Sequence, residues 1–502
     1  MSMLMGIDVG TTGTKTILTD ENGVLLSESY KGYRIYSEKS GYAEQNAEDW
    51  WDAVVYTVRE CTEDLKDKTE IKAIALSTQG GSMVPVDKSG RPLSRAALWM
   101  DTRGKSQSAA LLSGKEKDYH YCKTGWKLSN GLNLIQIQWI KDNDPRLFEK
   151  AYKFISTVEY VNCRLVGQPV TDPSNAGMTQ LFNILDKKWD ADILADLGLK
   201  ADRLGDIAES GTALGTLRPE AAKELGIPEG TKVVSGGHDQ YCAALGAGAV
   251  ESGEILLSTG TAWVLAAVLD CPVFDPVTYF APGNHVVPGK WGALATVPTA
   301  GVAMEWYRNN LGLRQGLEEN LLRVEEFAEI DRKAAEKGPG ADGVMFYPHF
   351  TGSSCPTWSA KSRAAILGLE LHHDQYHIAR AVMEGVVFDI NWMLGVLAAK
   401  RLETSSLKVV GGAAASGLWL QIIADITGLP VQASHAKNAA CIGAAILAGK
   451  GTGIYQSCEE GFQRLVKAES AIRPDPARHK TYTGLFQLYT ARFEALKSCY
   501  QQ

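Results

Sequence analysis

The run Met5-Gly-Ile-Asp-Val-Gly-Thr-Thr-Gly-Thr-Lys15 concentrates the groups that a phosphate chain needs. Asp8 closes an apolar strand pattern, where an acid is out of place unless it faces a cation or a ligand. Gly10 and Gly13 let backbone N–H groups approach an anion, and Thr11, Thr12, Thr14 and Lys15 add hydroxyl and ammonium donors. Asp8 could hold an accompanying Mg2+ through water. A hairpin with a polar tip would use the same residues, so this stretch alone makes phosphate only a candidate ligand. Two commoner phosphate loops are excluded. There is no GxxxxGK[ST], because Lys15 leads into a strand, and no GxGxxG opens a helix here.

Three further stretches share the logic. Ile255-Leu-Leu-Ser-Thr-Gly-Thr-Ala-Trp263 is again strand, Gly-Thr turn and strand, with Gly260 and Thr261 at the tip. Leu407-Lys-Val-Val-Gly-Gly-Ala-Ala-Ala-Ser-Gly417 leads into a helix. There Gly411 and Gly412 permit a flat base or ribose to come close, and Ser416 is either a ligand hydroxyl or an ordinary helix cap. In Thr231-Lys-Val-Val-Ser-Gly-Gly-His-Asp-Gln240, Asp239 follows a buried strand and opens a helix. Phosphorylating an alcohol needs positioning, charge neutralisation and one carboxylate to accept the hydroxyl proton. An acid at a helix N-terminus suits that role, although a lone Asp there is more often just a cap.

These residues must be held by strands and helices, and the pattern supplies them. Leu4–Val9, Thr14–Thr19 and Val24–Ser29 read as a three-stranded meander. An amphipathic helix follows from Ala47 to Leu65, capped by Asn46, and then the buried-type strand Ile71–Ser77. A comparable series restarts near Gly253 with Glu254–Ser258, Ala262–Leu269 and Leu407–Val410, and Tyr376–Ala399 is a long helix. At 502 residues the chain exceeds one ordinary core. The expectation is an α/β protein of two domains, 1–249 and 250–502, with mixed sheets flanked by helices and a cleft between them.

Net charge is −7 with pI near 5.8, and no block of Lys and Arg occurs, which argues against nucleic acid or an anionic membrane as partner. No continuous apolar run approaches the ~18 residues of a membrane helix, and the N-terminus has no basic leader. The nine cysteines are scattered without a CxxC pair, so the reading is a cytoplasmic protein without structural disulfides.

The four stretches, in this order, resemble the FGGY family of carbohydrate kinases, which shares its superfamily with actin and hexokinase. Ala364–Leu369 with His377–Glu384 is similar to that family's C-terminal signature. Trp99-Met-Asp-Thr-Arg103 resembles its sugar-side segment, and Glu44-Gln-Asn with Trp50-Trp51 its early features. The resemblance implies two RNase H-like domains closing on ATP, Mg2+ and a small sugar or polyol. Asp239 would be the catalytic base and would share the metal with Asp8. Gly10, Thr11, Thr12, Lys15, Gly260 and Thr261 would face phosphates, while Gly411, Gly412 and Ser416 would lie at the adenosine. Gln79, Gly80, Gly81, Trp99, Asp101, Arg103, Asp239 and Gln240 would form the acceptor side. A homodimer is the default expectation for such an enzyme.

Two departures put the sugar in question. Members acting on glycerol carry Arg-Glu after a Gln, and those acting on xylulose Met-His; here Gly80-Gly81 stands there. Either the backbone or Gln79, Trp99, Asp101 and Arg103 must read the hydroxyls, and the glycines could leave room for a longer acceptor. The family's usual Lys before Trp139 is replaced by Gln136. D-xylulose is the first expectation, with gluconate, glycerol and other polyols behind it and a non-kinase ATPase switch as the alternative. His373 and His377 are four apart, with His372 adjoining, but zinc is the weaker reading because no third ligand stands at a telling spacing.

Overall fold

The computed structural model describes residues 2–112, 115–116, 118–312, 322–434, 438–466 and 470–500. Two six-stranded mixed sheets dominate it. The first is built from β1 (Met3–Val9), β2 (Gly13–Asp20), β3 (Leu25–Gly32), β4 (Ile71–Thr78), β5 (Ala213–Thr216) and β6 (Lys232–His238), in the order β5-β6-β4-β1-β2-β3. The meander β1–β3 is antiparallel, and β1, β4 and β6 run parallel. Helix α1 (Ala47–Cys61) ends four residues short of expectation, at Cys61. Asn46 occupies its N-cap position without a side-chain cap bond.

The second sheet repeats the plan. Its strands are β7 (Glu254–Thr259), β8 (Trp263–Leu269), β9 (Ala281–Asn284), β10 (Trp291–Val297), β11 (Ser406–Gly411) and β12 (Val431–Ala433), ordered β9-β10-β8-β7-β11-β12. Here β10, β8 and β7 are antiparallel, and β7, β11 and β12 are parallel. The duplicated glycine-turn hairpin expected from Gly10 and Gly260 is therefore real.

Between the sheets lies a shared layer of two helices, α2 (Asp239–Ala247) and α3 (Ala439–Thr452). Leu4, Ala73, Ala75 and Val234 of the first sheet join Leu256, Ala266, Val268 and Val410 of the second in one core around them. Glycines set the spacing. A Cβ at Gly6 would lie 1.9 Å from the Cys441 carbonyl oxygen, and one at Gly443 1.9 Å from that of Cys242. Thus α3 rests on β1 and crosses α2 backbone to backbone, which any side chain would prevent.

The outer face of the first sheet buries Met5, Ile7, Val9 and Leu76 against Trp50 and Val54 of α1. The outer face of the second buries Ile255, Leu257 and Leu265 against α4 (Gln375–Ala399). That helix is long and apolar enough to cross a membrane, with mean hydropathy 1.5, but 78% of its apolar window is buried in this core. Its apolarity is explained by its neighbours.

Candidate active site

Strand pairing brings the acids together. Asp8 on β1 lies opposite Lys15 on β2 and Ser77 on β4, and Ser77 lies opposite Gly237 on β6. Asp239 starts α2 directly after β6, so both acids stand where parallel strands end, the usual ligand edge of such sheets. Ser77 Oγ donates to Asp8 Oδ1 at 2.7 Å. Burial and the nearby Asp239 carboxylate push Asp8 up to about 7, against the opposing pull of Ser77 and Lys15. Burial pushes Asp239 up to about 6, although Gln240 bonds it through both backbone and side chain. Asp239 keeps 28% of its side-chain surface open, so depth in the groove rather than complete sealing drives the shift.

The turn between β1 and β2 is tied down from several sides. Gly10 N–H donates to Gly13 O at 3.1 Å, and Trp99 Nε1 donates to Thr11 Oγ1 at 3.2 Å with the indole 48% exposed. Gln45 Nε2 donates to Thr11 O at 2.7 Å, while its Oε1 accepts from Trp50 Nε1 at 2.9 Å and Gln79 Nε2 at 3.2 Å. Gln79 is buried in that chain. In sequence, Gln45 figures only within the Glu44-Gln-Asn feature of the family resemblance, which assigns it no contact.

Asp101 and Arg103 form a closed knot beside this turn. Asp101 is 1% exposed and accepts from the Ala43 N–H and from Arg103. Arg103 Nη2 bonds Asp101 Oδ2 and Glu44 Oε1, each at 2.6 Å, and its guanidinium stacks 3.6 Å from the Tyr42 ring centre.

The two glycines that departed from the family pattern leave no hole. A Cβ at Gly80 would lie 2.7 Å from His238 Cδ2 and 2.7 Å from Met178 Cγ. Gly81 has φ +69°, and a Cβ there would lie 2.4 Å from Leu132 Cδ2. The room expected for a longer acceptor is already filled by neighbouring side chains. His238 is held by its backbone N–H, which donates to Ser174 Oγ at 2.8 Å, and Ser174 in turn bonds the buried Asp172. Burial pulls the imidazole down to about 4. Asp172-Pro-Ser-Asn175 has the composition of a helix start, a signal visible in sequence but silent about what it supports.

On the second sheet, Thr259 lies opposite Gly411, so the two glycine turns sit side by side. Thr259 Oγ1 donates to Val410 O at 2.6 Å and accepts from the Ala413 N–H at 3.0 Å, tying the turns together. Gly411 has φ +92°, and a Cβ there would lie 2.7 Å from Thr259 O. Ser416 Oγ accepts from the Trp419 N–H at 3.0 Å and so caps the following helix, Gly417–Thr427. A cavity of 840 Å3 opens here, within the range of small-molecule sites. Gly260, Thr261, Gly412 and Ser416 all line it, with Trp263 and Trp419 4.8 Å apart at ring centres. Asp331 from the helix Leu322–Ala335 lines it too and bonds Ser416. No spacing in the sequence linked that acid to the site.

The histidine cluster gains the third ligand that its spacing lacked. Asp342 Oδ2 lies 2.7 Å from His372 Nε2 and 3.9 Å from His373 Nε2, and the three offer ligand atoms within 4.8 Å of one another. His373 Nδ1, however, accepts the Glu370 N–H at 2.8 Å, leaving its proton on Nε2, where a metal would have to bind.

Comparison with known proteins follows the same division of the chain. Residues 3–246 match the N-terminal domain, and residues 255–451 the C-terminal domain, of the FGGY family of carbohydrate kinases. A xylulose kinase of Bacillus subtilis is 31% identical over 494 residues, covering 97% of this chain and 96% of its own. A gluconokinase of Bacillus licheniformis is 27% identical over 506 residues, covering 100% of this chain and 97% of its own. Among solved structures, a xylulose kinase from Rhodospirillum rubrum superimposes with TM-score 0.92 at 25% identity, covering 100% of both chains. A gluconate kinase from Lactobacillus acidophilus does so with TM-score 0.90 at 27% identity, covering 100% of this chain and 99% of its own.

Proposed function

The chain belongs to the FGGY family of carbohydrate kinases, and from that membership we propose that it moves the γ-phosphoryl group of ATP to a hydroxyl of a ketopentose, D-xylulose first. The observation that carries the reading is the placing of Asp8 and Asp239 at the ends of β1 and β6, on either side of β4, with an 840 Å3 cavity at the matching edge of the second sheet. Asp239 accepts the acceptor hydroxyl's proton as the oxygen attacks phosphorus, and Gln240 and the first turn of α2 keep its carboxylate oriented. Thr11, Thr12, Gly260 and Thr261 offer donors to the phosphates. Gly412 and Ser416 line the adenosine side of that cavity beside the packed rings of Trp263 and Trp419, and Gly411 makes the turn that leads into it.

Two deep carboxylates, the charge of Asp239 raising the proton affinity of Asp8, fit a hard divalent cation. A pair of carboxylates suits Mg2+, an ion that keeps much of its water. Asp8 and Asp239 would hold it through water, and bound there it would neutralise charge on the phosphates. We place the reaction in the cytoplasm, where ATP and ketoses meet.

Coupled ADP release over pentuloses, hexuloses, polyols and aldonates tests the reading. D-xylulose should support turnover, and kcat/KM should climb as pH rises through about 6, where Asp239 becomes ionised. Asp239→Asn should abolish acceptor-dependent ADP release; release near the wild-type rate would remove Asp239 as the base. The full-length likeness to gluconokinases favours gluconate as the second candidate, and the same panel decides between them.

A further inference from the structure

Strands β4 and β6 are parallel neighbours, with His238 opposite Thr78, so the residues just beyond their ends compete for one small volume. At position 80 that competition is settled sterically. A Cβ on residue 80 would fall 2.7 Å from His238 Cδ2 and 2.9 Å from His238 Nε2, closer than real Cβ contacts come. His238, with Met178 Cγ at 2.7 Å on the other side, therefore occupies the place that a side chain at position 80 would take.

Three contacts fix the imidazole there. The His238 N–H is anchored on Ser174 Oγ, the ring meets Tyr241 edge-on at 5.8 Å between centres, and Nε2 lies 3.3 Å from Asp239 Oδ1. The side chain is only 6% exposed, and among the described residues its Nδ1 is buried without a hydrogen-bond partner. A buried polar atom with no protein partner, one contact from the proton acceptor, calls for a partner from the substrate.

We propose that His238 is the specificity-determining residue of the acceptor pocket: its ring forms the wall that Gly80 lacks, and its Nδ1 pairs with a hydroxyl of the acceptor. The inference rests on Asp239 being the base. It couples Gly80 to His238, since a side chain at position 80 and the imidazole claim the same space, with Met178 Cγ closing the other side. Acceptor length is then read by an imidazole at the end of β6, the strand that leads into the base, not by the loop after β4.

The test uses full-length Gly80→Ala, His238→Ala and the double variant, assayed for ADP release with ATP over ketoses of five and six carbons, pentitols and aldonates. His238→Ala should shift the kcat/KM ratio between five- and six-carbon acceptors by about tenfold or more, the scale of a changed pocket wall, with KM for ATP held within about twofold. Gly80→Ala alone should lose about tenfold or more on the preferred acceptor, and the double variant should recover part of that loss, since the clash with His238 is gone while Met178 Cγ stays 2.7 Å from the new Cβ. An equal loss on every acceptor after His238→Ala would overturn the proposal, as would a double variant whose losses simply multiply. If His238→Ala does not fold, His238→Asn keeps a polar but shorter group and must show the same shift in ratio. Acceptor binding by calorimetry in an Asp239→Asn background gives a ranking without turnover. A ranking that His238→Ala leaves untouched there, or no binding at all, also overturns the proposal. Wild-type turnover that survives Asp239→Asn would instead remove the base while the binding ranking still reports on His238.

Discussion

Replacing Asp8 by Asn should make the ligand-free protein more stable at neutral pH while removing its activity. The Asp8 carboxyl sits at about 7, against 3.8 for the ordinary group, chiefly because of burial and the Asp239 charge. The native state therefore holds a proton that the unfolded chain has released. The linkage slope is negative across that interval, so the contribution of this group to stability falls as pH rises from about 4 to about 7. The shift of about three pH units corresponds to at most about 4 kcal/mol, and to about 2 kcal/mol once water reaching the half-buried carboxyl is allowed for. Asn is isosteric and its Oδ1 still accepts from Ser77 Oγ, so no packing is lost. Denaturant unfolding of the apo protein should show wild type and Asp8→Asn converging near pH 4 and separating by about 2 kcal/mol at pH 8, with the variant on top. In the melting temperature that is about 4–8 °C. A variant less stable than wild type at pH 8, or a gap that does not change with pH, would refute the electrostatic account of Asp8.

Two further substitutions follow from packing. Arg103→Met leaves Asp101, 1% exposed, as a buried charge without its cation, and should cost about 3–5 kcal/mol in chemical unfolding. If Arg103 reads the acceptor instead, melting will stay within about 2 °C of wild type and only the acceptor KM will move. Gly443→Ala would place a Cβ 1.9 Å from the Cys242 carbonyl oxygen, about 1.5 Å inside ordinary contact. The two central helices must then part, and scanning calorimetry should record a loss above the 1–3 kcal/mol typical of overpacking; a variant as stable as wild type contradicts the crossing.

The elements most legible in sequence were those whose periodicity is local. The β1–β3 meander, the Gly10 and Gly260 hairpins, β4 and α4 all lie within a few residues of expectation. Asp8 stood out because an acid ending an apolar strand breaks the pattern around it, whereas Asp239 alone reads as a helix cap and was singled out only through the family resemblance. What was hidden depends on partners distant in sequence. Nothing near Gly80 says that His238, far along the chain, fills its volume, so a glycine read as space turned out to be occupied. Asp101 and Arg103 offered a polar pair suited to a sugar, and only the fold shows their charges turned on each other and on Glu44. Likewise Asp342 supplies the metal-type third ligand that no spacing around His372 could reveal.

The placement of α3 bears on how the polypeptide is made. Its glycine-bearing face covers Leu4, Ala73, Ala75 and Val234, residues the ribosome has finished hundreds of peptide bonds before it reaches Ala439. Until then one side of the first sheet has no permanent cover, and a nascent chain of this protein must carry that apolar surface through most of its synthesis. A truncated product ending between the two sheets would keep the surface indefinitely. The helix that closes the sheet thus also marks the point in translation after which that apolar surface can be covered.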